Sequence, residues 1–410
     1  MIGKIAWKNM WFKPLNTFLS IILLTASVSI ISILILLQKQ FEEKFSSSMD
    51  NIDLVLGAEG SPLQLILSSV YQIDAPPGNI SYADAKTWLK NPMVESAVPL
   101  AYGDNYLGYK IVGTDENYLK HFDLTVAEGT SFTKDFEVII GTDIALKAGL
   151  KIGDTFFGTH GDTEEGEVHD DHAYKVVGIL ESSGKVADQL ILCTIESVWH
   201  MHEHHDHNHD EEEDRDHQNH DEVSSEHKEK EITAVLLKMR NNMAKMTWQR
   251  IVPQNTEMQA ASPAIEVNRL FTLFGVGISA LKYLAYGIML ISGISIFVAL
   301  YNTLKERQYE FALLRISGAS KFQLLWLVLL ESILLCIIGF ILGIVFGRIG
   351  LYFLSVSAEA EFKMAFNPFE FMWKKEGSLF VATLTVGIIA ALIPAVKAYS
   401  LNISKTLANA

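Results

Sequence analysis

Eight histidines crowd one short stretch of this chain, His200, His202, His204, His205, His207, His209, His217 and His220, with carboxylates interleaved. Neutral imidazole and carboxylate are good ligands for zinc and related divalent ions, and ligand density compensates for the lack of a fixed geometry. His202, His204, His205, His207 and His209 are the expected metal contacts and Zn2+ the expected ion, with no integral cofactor. No CxxC or HExxH pattern defines a four-ligand shell. His160, His169 and His172 form a second, sparser cluster. Two other readings stand beside metal capture: incidental affinity of a solvated acidic loop, and a pH-responsive loop, because imidazoles titrate near pH ~6.5.

The histidines belong to a low-complexity insert at 200–231. From 201 to 231 there are 13 acidic and 3 basic residues, and from 161 to 172 there are 6 acidic and none basic, so these two segments together carry −16 against a net −15 for the whole chain. The acidity is local and says nothing about the fold. No nucleic-acid partner is expected. With almost no apolar residue, the insert cannot bury enough surface to offset its ordering entropy, which predicts a mobile segment.

A second group of residues points to recognition. The stretch 301–320, YNTLKERQYEFALLRISGAS, is charged and amphipathic, yet it stands between two long apolar runs. Arg307, Glu310 and Arg315 supply charge, Phe311 and Leu314 share a helical face suited to a groove on a soluble partner, and Gly318 ends the helix. Glu331 is the one charge inside the following apolar run. A carboxylate there is costly, and a hydrogen bond to a neighbouring helix is favoured over ion or proton passage. No Ser/His/Asp order or paired carboxylates support catalysis, so the chain is expected not to be an enzyme.

Four apolar runs position these groups, at 15–37, 283–303, 322–347 and 378–396, each long enough to cross a bilayer at about 1.5 Å per residue. Lys4, Lys8 and Lys13 precede the first run; Lys305, Arg307, Arg315 and Lys321 lie between the second and third; Lys397 and Lys405 follow the fourth. The positive-inside rule then places residues 1–14, 304–321 and 397–410 in the cytoplasm, and 38–282 and 348–377 outside it. The first run is read as a retained anchor, since its apolar length exceeds a usual signal h-region. Gly339, Gly343 and Gly347 form a small-residue ridge for close helix packing, within one subunit or across a dimer.

The long segment 38–282 reads as mixed α+β. Residues 38–49 continue the first span as a polar stalk. A β-type run at 53–61 breaks at Gly57 and Gly60, a helix follows Ser81, and strands are expected at 96–100, 106–113, 137–141, 175–180 and 232–239. A short helix at 144–148 closes at Gly149, and a long helix runs from Ile265 toward the second span. The two cysteines, Cys193 and Cys336, are too separated to pair, so the outer domain relies on its core.

The order of these parts and several motifs resemble the permease subunits of ATP-binding-cassette systems of the MacB, FtsX and LolC/LolE type. AWKNMWFKPLNTFLSIILL at 6–24 is similar to the family's basic lead into its first span, NTLKERQYEFALLRISGAS at 302–320 to its coupling segment, and IPAVKAYSLNISKTL at 393–407 to its closing segment. VIIGTDIALKAGLKIGDTF at 138–156 and YKVVGILESSGKVADQLIL at 174–192 resemble its periplasmic core. The resemblance implies a four-helix inner-membrane protein with a large periplasmic α+β domain between helices 1 and 2. It also implies a homodimer or paired permease, a cytoplasmic ATPase as partner, and ATP-driven motion relayed outward to an unidentified outer partner. No GxxxxGK[ST] motif occurs in the sequence, so ATP is expected to act only through another subunit, unlike the fused arrangement of MacB proper. A zinc-linked transporter is the leading form of this expectation. The alternative is an FtsX-like regulator that controls an outer partner without moving a substrate.

Overall fold

The computed structural model describes residues 2–12, 14–160, 172–201, 230–362 and 365–401. It divides into one unit of residues 1–41 and 273–410 and another of residues 42–272, the divisions falling within two long helices. In chain order, α1 (Ile2–Met10) and α2 (Pro14–Ser48) lead into β1 (Leu54–Ala58), α3 (Pro62–Ser69), β2 (Ile80–Ser81) and α4 (Tyr82–Leu89). Next come β3 (Val94–Tyr106), β4 (Tyr109–Thr114), α5 (Asn117–His121), β5 (Val126–Gly129), β6 (Glu137–Ile140), α6 (Thr142–Lys147), β7 (Thr155–Phe156) and β8 (Thr159–His160). After β9 (Tyr174–Leu180) and β10 (Ile191–Thr194) a helix α7 occupies 195–201. The chain continues through β11 (Glu231–Ile232), β12 (Ala234–Met239), α8 (Asn242–Asn255), β13 (Met258–Ala261), α9 (Pro263–Glu306), α10 (Gln308–Ile316), α11 (Lys321–Phe362) and α12 (Trp373–Tyr399).

The unit of residues 42–272 is built on a sheet in the order β13-β1-β12-β3-β4-β10-β6-β9-β5, with β7 added to β9 and β8 to β3. Most pairs are antiparallel; β10 runs parallel to β4, and β6 to β9. Along β9 the buried residues Tyr174, Val176, Gly178 and Leu180 alternate with more exposed ones, the period-two pattern of a sheet with one face in the core. Leu54, Leu56, Ile111, Ile140, Tyr174 and Ile191 anchor that core. Each of the leucines and isoleucines contributes about 1.5–3 kcal/mol by leaving water.

Three expected strands differ in detail. The run at 53–61 does not break at Gly57: this glycine lies within β1, because a Cβ there would stand 2.4 Å from Leu65 on α3. The expected strand 106–113 is a hairpin corner, with Leu107 (φ 52°) and Gly108 (φ 76°) turning β3 into β4 through two left-handed residues. The run 232–239 divides at Thr233, whose N–H bonds to the carbonyl of Leu100; β11 pairs with β2, and β12 with β1 and β3. Ser81 caps α4 as expected, accepting from the Asp84 N–H, and Gly149 (φ 71°) follows α6. α3, α8 and β13 were not anticipated from the sequence.

The other unit is helical. Helices α2, α9, α11 and α12 are long and apolar enough to cross a membrane. The glycine ridge on α11 packs within the chain: added Cβ atoms at Gly339 and Gly343 would lie 2.8 Å from Leu24 and 2.5 Å from Val28, and Gly347 faces Ser29 and Ser32, all on α2. Gly387 on α12 lets the backbone approach α11 so closely that Ser332 Oγ donates to its carbonyl at 2.7 Å. The N-terminal residues form an amphipathic helix, α1, which buries Ala6, Asn9 and Met10 while Lys4, Trp7 and Lys8 remain exposed.

Candidate coupling site

Helix α9 stops at Glu306 because Arg307 leaves helical geometry (φ −100°, ψ 17°), and α10 restarts the chain at Gln308. At the other end Gly318 takes φ 99°, a left-handed conformation that a side chain would strain, so the chain reverses into α11. Ser320 and Gln323 cap α11 reciprocally: the Ser320 N–H donates to Gln323 Oε1 at 2.7 Å and the Gln323 N–H to Ser320 Oγ at 3.2 Å. Breaks at both ends make α10 a separate short helix.

Phe311 and Leu314, the residues expected to enter a groove on a partner, face the helical bundle of this chain. Phe311 and Ala312 are buried in a cluster with Ala6, Met10, Leu304 and Leu324, and Leu314 is half-buried against the same cluster. The apolar side chains left exposed are Tyr309, Leu313 and Ile316, spaced four and three apart along the opposite face. Periodicity showed that a stripe existed but could not show which of two apolar stripes met the bundle.

The charged residues of the segment serve local geometry. Arg307 Nε donates to Glu310 Oε2 at 2.7 Å, Nη2 bonds the same oxygen, and the guanidinium lies 5.2 Å from the Phe12 ring. Arg315 Nη1 donates to the carbonyl of Ala319 at 2.5 Å, tying the C-terminal turn of α10 to the reversal. Asn9 Nδ2 on α1 donates to Glu331 Oε1 on α11 at 2.6 Å, both residues being buried. Glu331 thus makes the interhelical hydrogen bond expected of it, and its donor on α1 was not foreseen.

A polar clasp at the opposite ends of these helices was also missed. Arg348 on α11 pairs with buried Glu376 on α12 and donates to the carbonyls of Pro368 at 2.9 Å and Glu370 at 2.5 Å. Lys39 on α2 pairs with Glu370, Gln40 Nε2 donates to the Asn367 carbonyl at 2.8 Å, and Lys282 on α9 donates to Gln38 Oε1 at 2.6 Å. The signal lay in isolated charges at the edges of the apolar runs, with no sequence cue to who meets whom.

His202, His204, His205, His207 and His209 lie outside the described residues, as does His169. His172 stacks on Phe136 with centroids 4.6 Å apart, and His200 Nδ1 stands 3.7 Å from Asp135 Oδ2. Among the described residues no three His, Cys, Asp or Glu side chains converge as a metal site. One histidine had drawn no attention: His121 is buried, with Nδ1 3.4 Å from Ser96 Oγ, and burial together with the nearby Lys238 holds its pKa below the ordinary imidazole value.

Comparison with known families matches residues 15–236 to the MacB-like periplasmic core domain and residues 283–403 to the FtsX-like permease C-terminal region. The first match alone covers more than half of the chain. The pyoverdine export ATP-binding/permease protein PvdT of Pseudomonas savastanoi pv. phaseolicola is 22% identical over 97% of this chain, which spans 58% of that relative's length. Among solved structures, the periplasmic region of MacB from Actinobacillus actinomycetemcomitans is similar with a TM-score of 0.33 and 11% identity, covering 54% of this chain and 95% of that one. The extracellular domain of the noncanonic ABC-type transporter YknZ from Gram-positive bacteria gives a TM-score of 0.31 and 13% identity, covering 51% of this chain and 99% of that one. Four helices able to cross a membrane, a mixed α/β domain between the first and second, and these two family matches lead to one conclusion: the chain belongs to the MacB/FtsX type of ABC transporter permeases.

Proposed function

We propose that this permease relays the ATP-driven motion of a cytoplasmic ATPase to its periplasmic core domain, with α10 as the element the ATPase grips. The observation that carries this reading is the two-sided α10: Phe311 and Ala312 root the helix in the bundle while Tyr309, Leu313 and Ile316 stand free on the other face. A rooted lever with an exposed apolar face can be pushed as a rigid body, and the exposed stripe suits a groove in a soluble partner. Basic residues flanking the spans support a cytoplasmic position for α10 and both termini. The unbroken helices α2 and α9, of 35 and 44 residues, are the rods that would carry the stroke. A second copy or a related permease completes the unit, and the histidine-rich insert links it to zinc through the ligand chemistry of its side chains.

The test separates the two faces of α10. Leu313→Glu and Ile316→Glu are expected to abolish association with an ATP-hydrolysing subunit while leaving the permease folded; retention of that subunit by both variants would sink the reading.

A further inference from the structure

We infer that the cleft between α1 and the α10–α11 turn is a binding site for an anionic phospholipid, its acyl chain lying in the cleft and its phosphate meeting Arg315. The cleft has a volume of about 670 Å³ and is walled by Gly3 and Ile5 on α1, Leu314 on α10, and Leu324, Leu327 and Leu330 on α11. That volume lies within the usual range of small-molecule pockets. Its apolar wall descends along α11: Leu330 is nine residues into a helix able to cross the membrane, about 14 Å from its start at the helical rise per residue. Ser317 and Gln323 are the polar side chains of the lining, both near the α10–α11 turn, and the wall of Leu324, Leu327 and Leu330 below them offers water few partners. An acyl chain is the apolar molecule available at that depth, whereas a soluble partner reaches only the mouth.

Charge selects the headgroup. Ala319 belongs to the lining, and its carbonyl holds Arg315 Nη1 at 2.5 Å, which keeps the guanidinium beside the cleft although Arg315 itself is not part of the lining. Arg315 has no acidic partner among the described residues, and the nearby Glu310 is taken by Arg307. A guanidinium so held has donors left for a phosphate, its favoured bidentate partner. Lys4, between Gly3 and Ile5 in sequence, is exposed and adds positive charge to this end of α1. Exposed Trp7, Trp11 and Phe12 on and just after α1 suit the headgroup level of a bilayer and keep this end of the molecule at the lipid interface. The site depends on the membrane-spanning character of α11 and not on which face of α10 an ATPase grips.

The test uses the full chain, purified in detergent and stripped of lipid, then titrated with phosphatidylglycerol or phosphatidylcholine while native mass spectrometry counts the bound molecules. Phosphatidylglycerol is expected to bind roughly fivefold more tightly than phosphatidylcholine, the factor one interfacial arginine supplies against an anionic lipid. Arg315→Gln should erase that preference, and Ala319→Trp, which fills the mouth, should weaken both lipids. Lys397→Gln removes a cation that donates to Tyr301 Oη at 2.7 Å and does not line the cleft, and should leave the preference intact. Equal affinity for the two lipids, or equal losses in Arg315→Gln and Lys397→Gln, would overturn the site in favour of none or of diffuse attraction. Should Ala319→Trp fail to accumulate, the Arg315→Gln and Lys397→Gln pair decides alone.

Discussion

Asn9 and Glu331, 322 positions apart in sequence, meet in a buried hydrogen bond of 2.6 Å that fastens the amphipathic N-terminal helix α1 to the membrane helix α11. A carboxylate inside a span invites a transport role, and its environment here argues for a structural one: the partner is a neutral amide on the adjoining helix. The distinction is testable because glutamine keeps the shape and hydrogen-bonding capacity while removing the charge. Glu331→Gln should retain near wild-type thermal stability and activity, whereas Asn9→Leu, which strands the carboxylate, should cost about 1–3 kcal/mol. A folded Glu331→Gln protein without activity would show that the charge itself is used.

The clasp at the other end predicts a different pattern. Arg348 is the cation beside Glu376, and both are largely buried. Replacing one partner leaves an uncompensated buried charge, so Arg348→Met should lose about 3–5 kcal/mol, while Arg348→Met with Glu376→Met should recover most of it. Chemical denaturation of the reconstituted protein checks this; equal stability of the single and double variants would contradict it.

His121 is expected to make the stability of the periplasmic core domain pH-dependent. Its folded pKa is depressed by burial and by Lys238, so the unfolded chain, with an ordinary value near ~6.5, binds the proton first as pH falls. Stability should therefore be full above that value and decline as pH drops through it toward the depressed folded pKa. The melting temperature of the domain in the full chain, measured between pH ~7.5 and ~5, should fall less steeply in His121→Gln. An unchanged slope would remove His121 from the account.

The zinc link rests on ligand chemistry in the insert. Calorimetric titration of the full chain with zinc should show binding that deletion of 201–230 removes, together with poorer growth of the deletion strain under zinc limitation. No change in either measurement defeats the link.

Much of the architecture was legible because lipid imposes a strong rule: a run such as 322–347 with a single charge has few alternatives to a spanning helix. The strands of the periplasmic domain were legible where polar and apolar residues alternate, as at 174–180. Helix α8 was missed although Ala244, Trp248 and Val252 bury one face at a spacing of four, because Pro253 and the polar residues around it weaken the local pattern. At α10 the sequence displays two apolar stripes, and only packing against Ala6 and Met10 tells the rooted stripe of Phe311 from the free stripe of Leu313. Pairings such as Asn9 with Glu331 and Arg348 with Glu376 join distant positions or depend on helix rotation, which a single sequence does not encode locally.

The same logic separates docking from folding on α10. Phe311→Ala should cost about 3–5 kcal/mol of stability by opening a cavity in the helical core, and any loss of function should follow from that. The most direct measurement is the amount of ATP-hydrolysing subunit that co-purifies with full-length permease carrying Leu313→Glu or Ile316→Glu, normalised to folded protein. The account predicts at least about a tenfold loss, the equivalent of 1.4 kcal/mol or more in binding, with the melting temperature unchanged. Wild-type recovery of the subunit by both variants, or its absence from the wild-type preparation, would contradict it.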